Sequence, residues 1–297
     1  MSGESFCVAG FRFEVLTSEA GCLERWLPSF RPFRCNAQKV VEPIFRLSVE
    51  VWEESWNWKA EEASLLDDDT NDMGHVQLFA VPDGYCVLLQ YLCGGPVHGL
   101  RMAKDFSSGV AYVCRKDIYV GEVLSSMLRI FFSQAILLHD GVSLHASSVW
   151  LDGRAYLFMG KSGTGKSTHA ALWVAAFPGC GLLNDDNPVV RLQEGRAVAY
   201  GTPWSGKTPC YKNLEFPVAG MVRLRQASAN RFYRCEDVDA FIALLPGCSV
   251  INRDERLHSA LCEILIRLCG EVPVGLLDCL PDSEAAFLCR NELNLFK

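Results

Sequence analysis

Tyr156-Leu157-Phe158-Met159-Gly160-Lys161-Ser162-Gly163-Thr164-Gly165-Lys166-Ser167-Thr168-His169 is the stretch on which the fold turns. Its first four residues are apolar and extended in character, the next eight match G-x-x-x-x-G-K-[ST], and Thr168 to Phe177 carries a helical pattern that stops before Pro178-Gly179. Glycines in such a loop let the backbone curl so that successive N–H groups point at one anion, and the helix that follows adds the positive end of its dipole. A strand, loop and helix in this order predict a triphosphate site. Its contacts run through Gly160, Lys161, Ser162, Gly163, Thr164, Gly165, Lys166, Ser167 and Thr168. Lys166 is placed to neutralise the β- and γ-phosphates, and the Ser167 hydroxyl to ligate Mg²⁺.

Working outward, Asp152-Gly153 is a two-residue turn signal between Ser147–Leu151 and Arg154–Phe158. If Leu151 faces Arg154, counting along the hairpin sets His145 opposite Gly160. A histidine on a strand reads as a structural residue or as a catalytic one, and this register favours the mouth of the phosphate loop. On the other side, Leu182-Leu183-Asn184-Asp185-Asp186 is a short apolar run ending in two acids. In an open α/β sheet the carboxyl ends of parallel strands share one edge, so the acids are expected beside the loop. Phosphoryl transfer needs one carboxylate near Mg²⁺ and one to accept a hydroxyl proton. A second hairpin is expected around Glu194-Gly195. It returns the chain to Gly201-Thr202-Pro203-Trp204-Ser205-Gly206-Lys207, where Ser205 and Lys207 are candidates for phosphate or acceptor contacts and the segment reads equally as an ordinary loop.

Residues 5 to about 118 show short apolar runs broken by turn residues, such as Phe11–Leu16 and Tyr85–Tyr91, which predicts a smaller, mainly β domain over residues 1–118. Within it, Glu50 to Asp72 collects acids and three tryptophans, and Asp67-Asp68-Asp69 reads as a solvated loop. From Gly121 to His139 the pattern becomes helical. The boundary is therefore expected just before it, with an α/β domain over residues 119–297. Further helices are expected at Glu236–Leu245 and Asp254–Cys269, the latter stopped by Gly270, and a strand at Val272–Cys279.

Composition is that of a globular enzyme, with 49% hydrophobic and 21% charged residues. A net charge of -7 argues against a nucleic-acid partner. The 14 cysteines are scattered without C-x-x-C spacing and read as reduced core residues. The N-terminus lacks a basic segment followed by an apolar run, and Met127–Leu138 falls short of the about 20 apolar residues of a membrane span. A cytoplasmic protein with no membrane contact is expected. A homo-oligomer is left open.

Taken together, His145, the Gly160–Ser167 loop and Asp185-Asp186 resemble, in order and spacing, the kinase domain of the HPr kinase/phosphorylase family, within the phosphoenolpyruvate carboxykinase-like nucleotide-binding group. The resemblance covers about residues 121 to 290, including the segment from Pro217 through Asn230-Arg231. It implies an α/β P-loop kinase domain of HPr kinase/PEP carboxykinase-like type. It further implies ATP and Mg²⁺ as cofactors, His145 and Asp185 as catalytic residues assisting hydroxyl attack, and Ser167 with Asp186 at the metal. Arg231 joins Ser205 and Lys207 as a candidate phosphate or acceptor contact. Where HPr kinases carry Glu after the loop serine, this chain has Thr168-His169, and its N-terminal domain is unlike theirs, so HPr is not implied as acceptor. The function expected is an ATP- and Mg²⁺-dependent kinase acting on a hydroxyl of a protein, peptide or small molecule. Two alternatives stand beside it: a non-catalytic ATP-binding regulator and a tailoring kinase of peptide biosynthesis.

Overall fold

Apolar residues alternate along the first 17 positions, and the chain reverses at Ala9-Gly10, both with positive φ (52° and 75°), to pair β1 (Ser2–Val8) with β2 (Phe11–Thr17). Two consecutive left-handed residues match the twist of the flanking strands, which is why the turn closes so tightly. In this computed structural model, which describes residues 2–35, 42–58 and 62–295, the chain divides into two units, Met1–Ala135 and Ile136–Lys297.

The first unit continues with α1 (Cys22–Trp26) and β3 (Phe45–Trp52). β4 (Ser64–Asn71), β5 (Gly74–Val81) and β6 (Gly84–Gln90) follow, then β7 (His98–Ala103) and β8 (Ser108–Cys114). They form an eight-stranded sheet in the order β1-β2-β3-β8-β7-β6-β5-β4, with β3 parallel to both of its neighbours. Asp67-Asp68-Asp69 is not a loop but the middle of β4, an exposed strand at the end of the sheet that, among the described residues, pairs with β5 alone. Charge on an edge discourages further pairing, and that reconciles the acidity with the strand. Residues 59–61 of the acidic Glu50–Asp72 segment lie outside the described residues.

Helix α2 (Val120–Leu137) buries Val123, Leu124, Met127, Leu128, Phe131 and Phe132. Phe131 stacks on Phe45 at 4.3 Å between ring centroids, Phe45 on Phe13 at 4.8 Å, and Phe132 lies 5.7 Å from Phe13. The helix expected to open the second domain is thus mostly part of the first unit, because its aromatic face completes that sheet's core. By length and composition α2 could cross a membrane, but 67% of it is buried and the packing accounts for its apolar character.

The second unit begins with β9 (Gly141–Ser143), β10 (Ala146–Leu151), β11 (Arg154–Met159), α3 (Lys166–Ala176) and β12 (Gly181–Asn184). β13 (Val189–Gln193), β14 (Arg196–Tyr200), β15 (Glu215–Gln226) and β16 (Arg231–Cys235) follow. The chain ends with α4 (Asp237–Leu244), α5 (Glu255–Glu271), β17 (Val274–Cys279) and α6 (Ser283–Asn294). Long β15 joins two parts of one sheet. Its start pairs with β14, leading on to β13 and β9, while its later residues lie parallel to β11 on one side and β17 on the other. α3 and α6 cover one face, where Phe158, Trp173, Val222, Leu277, Cys289 and Leu293 share a core. α5 is capped by Asp254, which accepts from the Arg256 and Leu257 amides, and it runs through Gly270 to Glu271. Pro273 disfavours helical geometry at Val272, which is extended (φ -112°, ψ 132°), so the proline rather than the glycine ends this helix.

Candidate functional site

The Asp152-Gly153 turn has positive φ at both residues (52° and 72°), and the hairpin pairs Leu151 with Arg154 through to Ala146 with Met159. His145 and Gly160 are the first residues beyond that ladder. β12 runs antiparallel to the other side of β10, with Ser148 opposite Asn184. Consequently β11 and β12 are parallel, and their carboxyl ends share an edge with the amino end of β10. The phosphate loop, the acid pair and His145 are brought together there by topology alone.

Gly163 and Gly165 hold φ of +77° and +104°, a region closed to most side chains, and the Thr164 amide donates to the Lys161 carbonyl at 3.1 Å to close the turn. A Cβ on Gly160 would sit 3.0–3.2 Å from the Thr164 side chain, which would have to shift by a few tenths of an ångström to admit it. α3 starts at Lys166 with Gly165 as N-cap and no side-chain cap, so no cap side chain competes for its first amides, the condition an anion at a helix N-terminus needs. Lys161, Ser162, Gly163, Ser167 and Thr168 are exposed, whereas Lys166 is buried. Its ammonium donates to the carbonyls of Gly160 (3.1 Å) and Lys161 (3.4 Å). Desolvation pulls the Lys166 pKa down, and Asp186 and then Asp185 push it back up.

Asp185 is 4% exposed. The Ser147 hydroxyl donates to its Oδ1 at 2.9 Å, and the Thr208 amide to its Oδ2 at 3.3 Å. Asp186 is more open, and its Oδ1 lies 3.8 Å from the half-exposed His145 ring. Asn184, fully buried, fixes the backbone that follows it, including the Asp186 amide. Its Oδ1 accepts from the Asp186 and Asn187 amides (3.0 and 2.8 Å), and its Nδ2 donates to Thr202 Oγ1 (3.1 Å) and the Trp204 carbonyl (2.8 Å). Thr202 donates in turn to the Asn187 carbonyl at 2.8 Å, and Ser143 to Asn187 Oδ1. Buried polar groups tied this fully are rigid. Asn184, Ser147, Thr202 and Asn187 escaped the sequence reading; the signal available was the Asn-Asp-Asp-Asn run beside the serines Ser143, Ser147 and Ser148, which are unusual in a buried strand.

Ser205 and Lys207 are carried to this edge by their neighbours. A Cβ on Gly206 would lie 3.1 Å from the Asp185 carbonyl and 3.5 Å from Asp186 Cβ. The Ser205 hydroxyl donates to the Thr208 carbonyl at 2.6 Å, and Lys207 is exposed. Arg231 is not gathered in. It stands on β16, opposite Asp278 and separated from β11 by β15 and β17, which at about 4.8 Å per strand is roughly 14 Å away. Among the described residues, no group of three or more His, Cys, Asp or Glu is placed to hold a metal. The donors at hand are the Asp186 carboxylate and the Ser167 hydroxyl. That sparse set suits Mg²⁺, which keeps waters and takes phosphate oxygens rather than a full protein cage.

No family model and no curated protein matches the chain. Among solved structures it is similar to the Hpr(Ser) kinase/phosphatase from Coxiella burnetii, with 13% identity and a TM-score of 0.31 over 51% of this chain and 98% of that one. A likeness of that size amounts to a distant structural relationship at most and carries no family assignment. The chain itself has a mixed α/β architecture with large sheets, consistent with an α/β nucleotide-binding fold.

Proposed function

We propose that the chain is an ATP- and Mg²⁺-dependent kinase that transfers the γ-phosphoryl group to a hydroxyl on a protein, peptide or small molecule. The observation that carries this reading is the convergence, at one sheet edge, of a glycine loop with a buried lysine and two acids that differ in environment. A protein that merely bound nucleotide would need the first but not the second.

Loop amides and the α3 terminus would hold the phosphates, and Lys166 would exchange the Gly160 and Lys161 carbonyls for phosphate oxygens. Asp186, the acid that acts most strongly on Lys166, and the Ser167 hydroxyl would hold Mg²⁺, which offsets the charge that develops on the transferred group. Asp185 faces the Ser205–Thr208 segment, the side from which an acceptor would enter, and Ser147 with the Thr208 amide fixes its carboxylate. Asp185 would take the hydroxyl proton as the new O–P bond forms, and the bond to the β-phosphate oxygen breaks to release ADP. His145 sits beside Asp186 and would assist as a second polar group at the mouth.

ADP release should be measured with Mg²⁺-ATP alone and with serine peptides or small hydroxyl compounds, in the wild type and in Asp185→Asn. Acceptor-stimulated release that depends on Asp185 supports the kinase. Tight ATP binding with no release, with or without acceptors, would make the chain a nucleotide-dependent switch instead.

A further inference from the structure

The crown of the phosphate loop is held from outside the loop. A Cβ on Gly163 would meet nothing within 4 Å, so on that side the crown has no packing. The Gly163 carbonyl instead accepts from Gln226 Nε2 at 3.1 Å. Gln226 is the last residue of β15, which lies parallel to β11 with Arg223 opposite Met159. Gln226, three residues past that rung, still pairs with Cys279 of β17, and its side chain reaches the carbonyl of the turned-back loop.

Lys166 also donates to loop carbonyls, and those are the bonds a phosphate would displace. Once Lys166 has turned to a ligand, the Gln226 amide still ties the crown to β15. A carbonyl acceptor demands the amide nitrogen, so an isosteric carboxylate cannot replace it.

We propose that Gln226 is a positioning residue that preorganises the phosphate loop, strengthening its grip on the diphosphate portion of a ligand regardless of the nucleoside. This rests on the nucleotide-binding reading above. Holding the loop in its bound shape lowers the ordering cost of binding, so losing the tether should show as weaker affinity for anything the loop amides cradle.

Calorimetric affinities for Mg²⁺-ATP and for inorganic pyrophosphate should be compared in the wild type, Gln226→Leu and Gln226→Glu, with thermal unfolding alongside. In Gln226→Leu the dissociation constants for both probes should rise by a common factor of about three- to tenfold, as a net hydrogen bond allows. Gln226→Glu should lose more, and the melting temperature of both variants should hold, since the side chain is exposed. Unchanged affinity in Gln226→Leu would overturn the proposal. So would a loss confined to ATP, which would make Gln226 a reader of the nucleoside, or a loss that tracks lowered thermal stability. If the wild type binds neither probe, the nucleotide reading itself fails; if the wild type binds and only the variants behave otherwise, the tether alone is refuted.

Discussion

Lys166 is the residue at which burial and charge pull hardest against each other. Desolvation disfavours its ammonium, while Asp186 and Asp185 favour it, and phosphate would add further negative charge beside it. Lys166→Ala should weaken Mg²⁺-ATP binding by roughly ten- to hundredfold, the loss of one charge-assisted contact, while leaving thermal stability intact. Equal affinity by calorimetry would remove the loop from the ligand site. The acids divide by environment. Asp185→Asn should cut turnover by at least about tenfold, on the order of 1.4 kcal/mol in barrier, and keep Mg²⁺-ATP affinity, whereas Asp186→Asn should weaken metal-dependent binding. Exchanged phenotypes would exchange the roles. The loop lysine and the acid pair could be singled out from the sequence because the chemistry proposed for them is written in side-chain type and spacing. Asn184 could not, because the Thr202 and Trp204 groups that its amide nitrogen meets come from a segment only the fold brings to it. Asn184→Ala should cost about 1–3 kcal/mol in urea unfolding by orphaning buried groups, and a neutral result would show that the network relaxes without it.

At the scale of elements, the two-residue turn Asp152-Gly153 made the β10–β11 register countable from the sequence, and a one-residue slip would have sent His145 to the opposite face. α3 held more than its loop motif revealed. His169, a departure from the HPr kinase pattern, is 2% exposed, accepts from Trp173 Nε1 at 3.1 Å and meets Phe158 edge-on at 4.6 Å between ring centroids. It belongs to the core behind the loop, and only the helix's packing on Phe158 makes that visible. Burial pushes its pKa from 6.5 down to about 4. Between those values the unfolded chain binds a proton that the folded chain refuses. The native state therefore keeps its full advantage above the unfolded pKa and loses it as pH falls toward the folded one, by about 3 kcal/mol in all. His169→Gln retains an acceptor for Trp173 but does not titrate. Urea unfolding near pH 7 and near pH 5, approximate points chosen above and inside this window, should show a shallower decline in the variant than in the wild type. Identical slopes would mean that His169 is not buried neutral.

For the molecule as a whole, the mainly β start and the α/β remainder were legible from the change in hydrophobic period, yet the join between them was not. A helix with apolar residues on most of its faces announces that it is buried without saying against what. Phe131 and Phe132 decide the matter by meeting Phe45 and Phe13, rings that lie far earlier in the chain. The choice of fragment follows directly. One beginning at Tyr119 takes α2 away from the sheet that covers it and leaves its aromatic face in water. Burying a large apolar side chain gains about 1.5–3 kcal/mol, so six stripped core residues make this fragment prone to self-association. A fragment starting at Leu138 leaves α2 behind and keeps the whole β11–α3–β12 site, together with Asn184, Thr202 and Gln226. The shorter fragment should therefore be the better behaved, monodisperse by light scattering and binding Mg²⁺-ATP about as tightly as the full chain, while the longer one aggregates. If the Tyr119 fragment stays monodisperse and the Leu138 fragment cannot fold, α2 is a structural part of the second unit after all, and its packing on the first sheet is not what holds it.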